Sequence, residues 1–169
     1  MTARDRSINA STEQVLVIER VFNAPRELVF KAWTEPRRAM QWWGPRNFTT
    51  PFCEIDLRPG GIVRSCMRSP GGKDYWGTGV YREVVEPERI VWTDSFADED
   101  GNVVPATHYG MSAEWPLEAL VRVTFAEEDG GTRLTLEHDT GTAPAAERDM
   151  CRQGWSESLD KLAEYLEEA

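Results

Sequence analysis

The sequence predicts an α+β domain in which an antiparallel sheet of about seven strands packs against one long C-terminal helix. Two observations predict this class. Short runs of β-branched and aromatic residues alternate with Pro-Gly, Gly-Gly and Asp-Gly turn signals over most of the chain, as antiparallel hairpins require. Near residue 143 the apolar period changes from two to 3.6 residues, and no proline follows Pro144. The order of these patterns predicts one sheet closed by one helix.

The chain is predicted to begin with a strand and two short helices. Residues 13–22 have the β-branched and aromatic composition of a strand. Asn23 is the expected N-cap of a helix with Pro25 in its first turn and its end near residues 34–36. A second short helix is predicted over residues 36–42, and the Gly-Pro pair that follows breaks it.

Six further strands are predicted after these helices, because each apolar run is bounded by turn residues. They lie at residues 47–57, 61–68, 74–85, 89–96, 117–126 and 132–139. Between the last two hairpins, residues 97–116 form the only long irregular stretch. This stretch is rich in aromatic residues, which makes it a candidate lid over the interior of the fold.

The C-terminal helix is expected to run for about 25 residues, which at 1.5 Å per residue is long enough to cross the whole sheet. Its apolar stripe places Gly154 and Ser158 beside Trp155, at positions where close packing ordinarily uses Leu or Ile. Two interpretations follow. Either the small residues allow close contact between helix and sheet, or they leave a cavity with Trp155 as one wall.

Composition limits the partners and the location of the protein. Nineteen Lys and Arg against 29 Asp and Glu give a net charge of −10, which disfavours nucleic acid and anionic membranes. The sequence has neither a secretion signal nor the ~20 apolar residues of a membrane span, so we expect a cytoplasmic protein without membrane insertion. The length predicts one domain over residues 13–169, preceded by a flexible polar segment at residues 1–12.

No motif indicates a cofactor or a metal. Cys53, Cys66 and Cys151 are too widely spaced for a metal knuckle and are expected to be reduced thiols. The Gly77–Gly79 region lacks the third glycine of a dinucleotide fingerprint. We therefore expect no cofactor and no metal.

Several motifs, in order along residues 14–168, resemble those of one family. They are VFNAPRELVFKAWT at residues 21–34, QWWGP at 41–45, DLRPGG at 56–61, GVYREVV at 79–85 with PERIV at 87–91, and GWSESL at 154–159. The chain thereby resembles the carboxy-terminal domain type of the family named for the activator of the ninety-kilodalton heat-shock chaperone ATPase. That family lies within the SRPBCC superfamily, which includes START domains and the birch-pollen allergen.

The resemblance implies a helix-grip fold, in which the sheet curls around the long helix. It implies that the chain binds a small apolar or aromatic molecule between sheet and helix. Two alternatives stay open. One is an interaction protein that contacts a chaperone or forms a homodimer. The other is a general acid–base enzyme, of the cyclase, dehydratase or hydrolase type, that uses the same cavity.

The candidate site residues combine flat apolar walls with a few polar groups, as ligand cavities do. The expected ligand-binding residues are Trp76, Trp92, His108, Tyr109, Met111, Trp115, His138, Trp155 and Ser158. For acid–base chemistry the candidates are His138, His108 and Asp94, because desolvation in an apolar cavity shifts a pKa. The competing interpretation is that the tryptophans and His138 fill the core and that Asp94 faces water at a strand end.

Overall fold

A seven-stranded antiparallel sheet forms the centre of the computed structural model, which describes residues 14–168. The strands are β1 (Val15–Phe22), β2 (Thr49–Ile55), β3 (Ile62–Arg68), β4 (Asp74–Val85), β5 (Arg89–Ala97), β6 (Ala119–Glu128) and β7 (Gly131–Asp139). Their spatial order is β1-β7-β6-β5-β4-β3-β2. The predicted α+β class and antiparallel sheet are confirmed, whereas residue 13 and the segment 1–12 lie outside the described residues.

Three α-helices accompany the sheet in the described part of the chain. They are α1 (Arg26–Thr34), α2 (Pro36–Ala39) and α3 (Ala145–Glu168). The expected cap is wrong: Pro25, not Asn23, occupies the N-cap position of α1, and no side chain caps it. Helix α2 ends before residue 42, because the amides of Gln41 and Trp42 bond to carbonyls three residues back and form turns.

The strands match their predicted bounds closely except for β2, which is two residues shorter at each end than predicted, and β6. Strand β6 starts two residues later than predicted and ends two residues later. Its charged end stays in the ladder because Glu127 pairs with Thr132 and Glu128 with Gly131. The hairpin then closes through Asp129 and Gly130, which have φ angles of 51° and 83°. A two-residue turn of this kind holds both strands in register, whatever the polarity of their last residues.

The core lies on one face of the sheet, where α1 and the C-terminal half of α3 cover it. Alternate residues of β6 and β7 are buried on this face: Val121, Val123, Phe125, Leu134, Leu136 and His138. From the helices, Phe30 packs edge-on against Phe125 with ring centroids 5.4 Å apart. Leu159 and Leu162 are completely buried. These contacts fix the C-terminal half of α3 on the sheet.

The N-terminal half of α3 is placed differently. All four buried residues of this helix lie at or after Ser158, and none lies between residues 145 and 157. Helix α3 is therefore buried only along its C-terminal half, and in its N-terminal half Trp155 is the side chain that packs against the core. No helix within residues 14–168 is both long enough and apolar enough to cross a membrane.

Candidate functional site

A cavity of about 290 Å³ lies between the sheet and the N-terminal half of α3. Strands β3, β4, β5 and β7 form its floor, and residues of α3, of the turn at 43–45 and of the loop before β6 form its other walls. A smaller chamber of about 40 Å³ adjoins it, and Trp43, Ser65, Gly77 and Asp94 line both. The combined space is at the small end of the range for ligand pockets.

Small residues on α3 leave this space open. Gly154 and Ser158 both line the cavity. A Cβ atom at Gly154 would lie 3.7 Å from the Cγ of Pro45, which is ordinary contact, so no close backbone approach requires glycine here. The helix could carry a larger side chain at this position, and the chain instead has none.

The buried imidazole of His138 is fixed by α3. Trp155 donates a hydrogen bond from Nε1 to the Nδ1 atom of His138 at 3.0 Å, and the Cys151 Sγ lies 3.7 Å from the same nitrogen. Burial lowers the pKa of His138 to about 4, so the ring is neutral at pH 7. Because Nδ1 accepts, Nε2 carries the proton, and within residues 14–168 this buried atom has no hydrogen-bond partner.

The carboxyl of Asp94 also lines the cavity. Asp94 lies on β5 opposite Ala119 of β6, and its side chain is half-buried between the two chambers. Among the described residues it has neither an ion-pair partner nor a hydrogen-bond partner. Burial raises its pKa from 3.8 to about 7. A carboxyl in this state exchanges a proton near neutral pH.

The charged groups around the cavity have one sign. The second carboxylate, that of Glu147 on α3, accepts a hydrogen bond from the backbone amide of Ser112 at 2.9 Å. No Lys or Arg is among the described residues that line either chamber. Burial raises the pKa of Cys151 to about 12, so its thiol stays protonated.

Most of the residues predicted from the sequence meet at this cavity. Those that line the larger chamber are Trp76, Met111, Trp115, His138, Trp155, Ser158 and the acid–base candidate Asp94. Trp92 lines only the smaller chamber. The ring of Trp76 packs against Phe52, with ring centroids 5.5 Å apart. Since neighbouring residues on a strand alternate, this ring lies on the face of the sheet opposite to Tyr75 and Gly77.

His108 and Tyr109 do not line either chamber. The hydroxyl of Tyr109 donates to the carbonyl of Ala97 and accepts from the amide of Trp76, so it pins the 3₁₀ turn Ala106–Tyr109 to the sheet. His108 is exposed and packs edge-on against the Tyr109 ring. Of the candidate lid, it is Met111 and Trp115 that reach the cavity.

Sequence reasoning missed several lining residues. They are Trp43, Met67, Tyr75, Phe96, Glu147, Met150 and Cys151. Strand pairing links some of them. Met67 lies opposite Tyr75 and Phe96 lies opposite Gly77, so the members of each pair point to the same face of the sheet. Trp43 follows the second short helix and lines both chambers.

Residues 23–167 match the family described as Activator of Hsp90 ATPase homolog 1-like protein (AHSA1). The chain belongs to this family. The match covers nearly the whole described chain, which confirms the family resemblance and the helix-grip fold. Family and fold together indicate a ligand-binding helix-grip module. No match was found among curated proteins.

Solved structures support the AHSA1-like assignment. A Mycobacterium smegmatis protein is 29% identical, with 92% of this chain and 90% of that chain covered and a TM-score of 0.72. The AHSA1 protein from Silicibacter pomeroyi is 26% identical, with 90% and 96% covered and a TM-score of 0.72. A Nitrosomonas europaea protein is 25% identical, with 92% and 96% covered and a TM-score of 0.76.

Proposed function

We propose that this AHSA1-like domain binds a small apolar or aromatic molecule in the cavity between the sheet and α3. The cavity of about 290 Å³ carries this proposal. Its lining is mainly apolar, with aromatic rings and methionines beside a smaller number of polar groups that include Asp94, His138 and Glu147. Such a mixture is typical of ligand sites, since apolar walls supply affinity and a few polar groups orient the ligand.

Fluorescence titration tests the proposal directly. Trp43, Trp115 and Trp155 line the cavity, so a molecule that enters it changes their emission. We expect saturable binding of one equivalent of a bicyclic aromatic compound. Native mass spectrometry of protein purified from cells should show an adduct of a few hundred daltons. A panel of apolar compounds that leaves the emission unchanged, together with an adduct-free spectrum, would contradict the proposal.

An acid–base enzyme that uses the same cavity is the second candidate function. The observation that favours it is Asp94, whose pKa of about 7 suits proton transfer near neutral pH. If a ligand is identified, incubation with the protein should convert it, and Asp94→Asn should stop that conversion. A ligand that is recovered unchanged after long incubation would leave binding as the function.

A further inference from the structure

We propose that the ligand of this cavity is an organic cation, namely an aromatic or apolar amine whose ammonium group pairs with Asp94. This inference rests on the proposed function and names the chemical class that the cavity selects. Three features of the cavity lead to it: an unpaired carboxyl, an aromatic wall without basic residues, and a buried N–H group without a partner.

The first feature is the carboxyl of Asp94. Burying a carboxylate is unfavourable unless a cation or several hydrogen-bond donors compensate it. Within residues 14–168 neither is present at Asp94, although its side chain lies at the junction of two chambers. An ammonium group in the cavity would supply both the charge and the donors.

The second feature is the wall around this carboxyl. Five aromatic side chains line the larger chamber: Trp43, Tyr75, Phe96, Trp115 and Trp155. Aromatic faces attract organic cations, and the attraction is stronger where water is excluded. An anionic ligand would meet two carboxyls and neither Lys nor Arg on the described lining. His138 is neutral and does not offset this imbalance.

The third feature is the Nε2–H group of His138. His138 is 4% exposed, lines the cavity, and has no partner for Nε2 among the described residues. His138 lies opposite Val121 of β6, which lies opposite Trp92, two residues before Asp94 on β5. The two polar groups thus lie on strands that are two positions, or about 10 Å, apart. A ligand with a hydroxyl or carbonyl acceptor opposite its ammonium end would pair with Asp94 and, after a shift of the side chains that cover Nε2, with His138.

Three probes with one aromatic body test this inference. Naphthylethylamine, naphthylethanol and naphthylacetic acid share the naphthyl ring and carry a cationic, a neutral and an anionic end at pH 8. By isothermal titration calorimetry at pH 8, we expect the amine to bind at least about tenfold more tightly than the alcohol, because a charge-assisted pair with a buried carboxylate forms. The acid should bind most weakly.

Two variants locate the effect. Asp94→Asn should bring the affinity of the amine down to that of the alcohol and leave the affinity of the alcohol unchanged. Asp149→Asn is the matched control, because this carboxyl of α3 is exposed and lines neither chamber. It should change the affinity of the amine by less than about threefold, because water screens exposed charges.

The outcomes separate the two proposals. If the alcohol or the acid binds as tightly as the amine, or if Asp94→Asn leaves the preference intact, the cation inference is wrong while the cavity remains a ligand site. If none of the three probes binds, the proposed function fails for aromatic ligands and the inference fails with it.

The pH dependence of binding provides a further readout. As pH rises from 6 to 8, Asp94 loses its proton while the amine keeps its own, so affinity should increase in the wild type only. The other titratable groups that line the two chambers are Cys53 of β2, Tyr75 and Tyr81 of β4, His138 of β7, and Glu147 and Cys151 of α3. An affinity that rises equally in Asp94→Asn would assign the dependence to one of these groups and overturn the role of Asp94.

Discussion

Asp94 is expected to destabilise the ligand-free protein at neutral pH. Its pKa is raised from 3.8 to about 7 in the folded state, so its protonated form favours folding at low pH. This contribution is complete below pH ~4 and is lost as pH rises through 7, because the unfolded chain releases the proton first. The shift corresponds to at most about 4 kcal/mol, and access of water through the cavity reduces it.

Asp94→Asn should therefore raise the free energy of unfolding by about 2 kcal/mol at pH 8. The gain should shrink as pH falls toward 4, where both side chains are neutral. Urea denaturation of both proteins between pH 4.5 and 8 measures it. Equal stabilities at pH 8 would show that the carboxylate is already compensated in the folded protein, which would also remove the first argument for a cationic ligand.

Gly154 offers a way to fill the cavity without breaking the helix. Gly154→Leu adds a side chain where the structure has space beyond Pro45, and replacing a helical glycine favours the helix by up to about 1 kcal/mol. We expect Gly154→Leu to keep or raise the melting temperature while weakening probe binding at least about tenfold, through lost cavity volume. Gly154→Ala, the matched control, should stabilise similarly and bind nearly normally. Unimpaired binding to Gly154→Leu would place the ligand elsewhere.

At the scale of elements, α3 consists of two functionally different halves. Leu162 is completely buried in the packed half, whereas Met150 in the cavity half is 64% exposed. Leu162→Ala should lower the free energy of unfolding by about 3 kcal/mol through cavity formation, and Met150→Ala by less than about 0.5 kcal/mol. Chemical denaturation measures both, and similar losses from the two variants would contradict the division of the helix.

Hydrogen exchange provides an independent measure of this division. Amides after Ser158 should exchange much more slowly than those in the first two turns of α3, because local opening of the unpacked half breaks few contacts. A bound ligand should slow exchange in the unpacked half selectively. Uniform protection along the helix without ligand would show that the loop contacts, such as Ser112 with Glu147, already fix this end.

The sequence predicted those elements whose signals are local. Leu134, Leu136 and His138 alternate along β7 and are all buried, because neighbouring residues on a strand must point to opposite sides of the sheet. The turn at Asp129 and Gly130 shows the limit of polarity as a guide. Glu127 and Glu128 look like loop residues, yet a tight hairpin keeps both of them in the ladder.

The lining of the cavity could not be predicted from sequence patterns alone, because it depends on contacts between residues far apart in the chain. Tyr109 lies in the aromatic loop as expected, but its hydroxyl bonds to the backbone of two strands, which turns it away from the cavity. Trp43 lies far along the chain from Trp155, and only the crossing of α3 brings their rings to a centroid separation of 5.4 Å. The small size of Gly154 and Ser158 is compatible both with a cavity and with close packing of helix on sheet. Only the position of the helix on the sheet distinguishes these two interpretations.

For the whole molecule, the net charge of −10 acts in the same direction as the carboxyls of the cavity. A negative protein attracts an organic cation over several ångströms and repels an anion, and dissolved salt screens this effect. We expect the affinity of naphthylethylamine to fall by several-fold between 20 and 300 mM salt, while that of naphthylethanol changes little. The part of the amine's advantage that survives at high salt belongs to close contacts within the cavity.

Ligand binding should also offset the stability cost of Asp94, because both effects act on one protonation equilibrium. At pH 8 and at a concentration 100 times its dissociation constant, the amine should stabilise the wild type by about 2.7 kcal/mol. At the same concentration Asp94→Asn should gain clearly less, since its affinity is lower, although it starts from higher stability. Thermal unfolding of both proteins, with the alcohol as the uncharged control, measures the difference. Equal gains would mean that the ammonium group does not contact this carboxyl, and that general attraction by the negative protein accounts for any preference for cations.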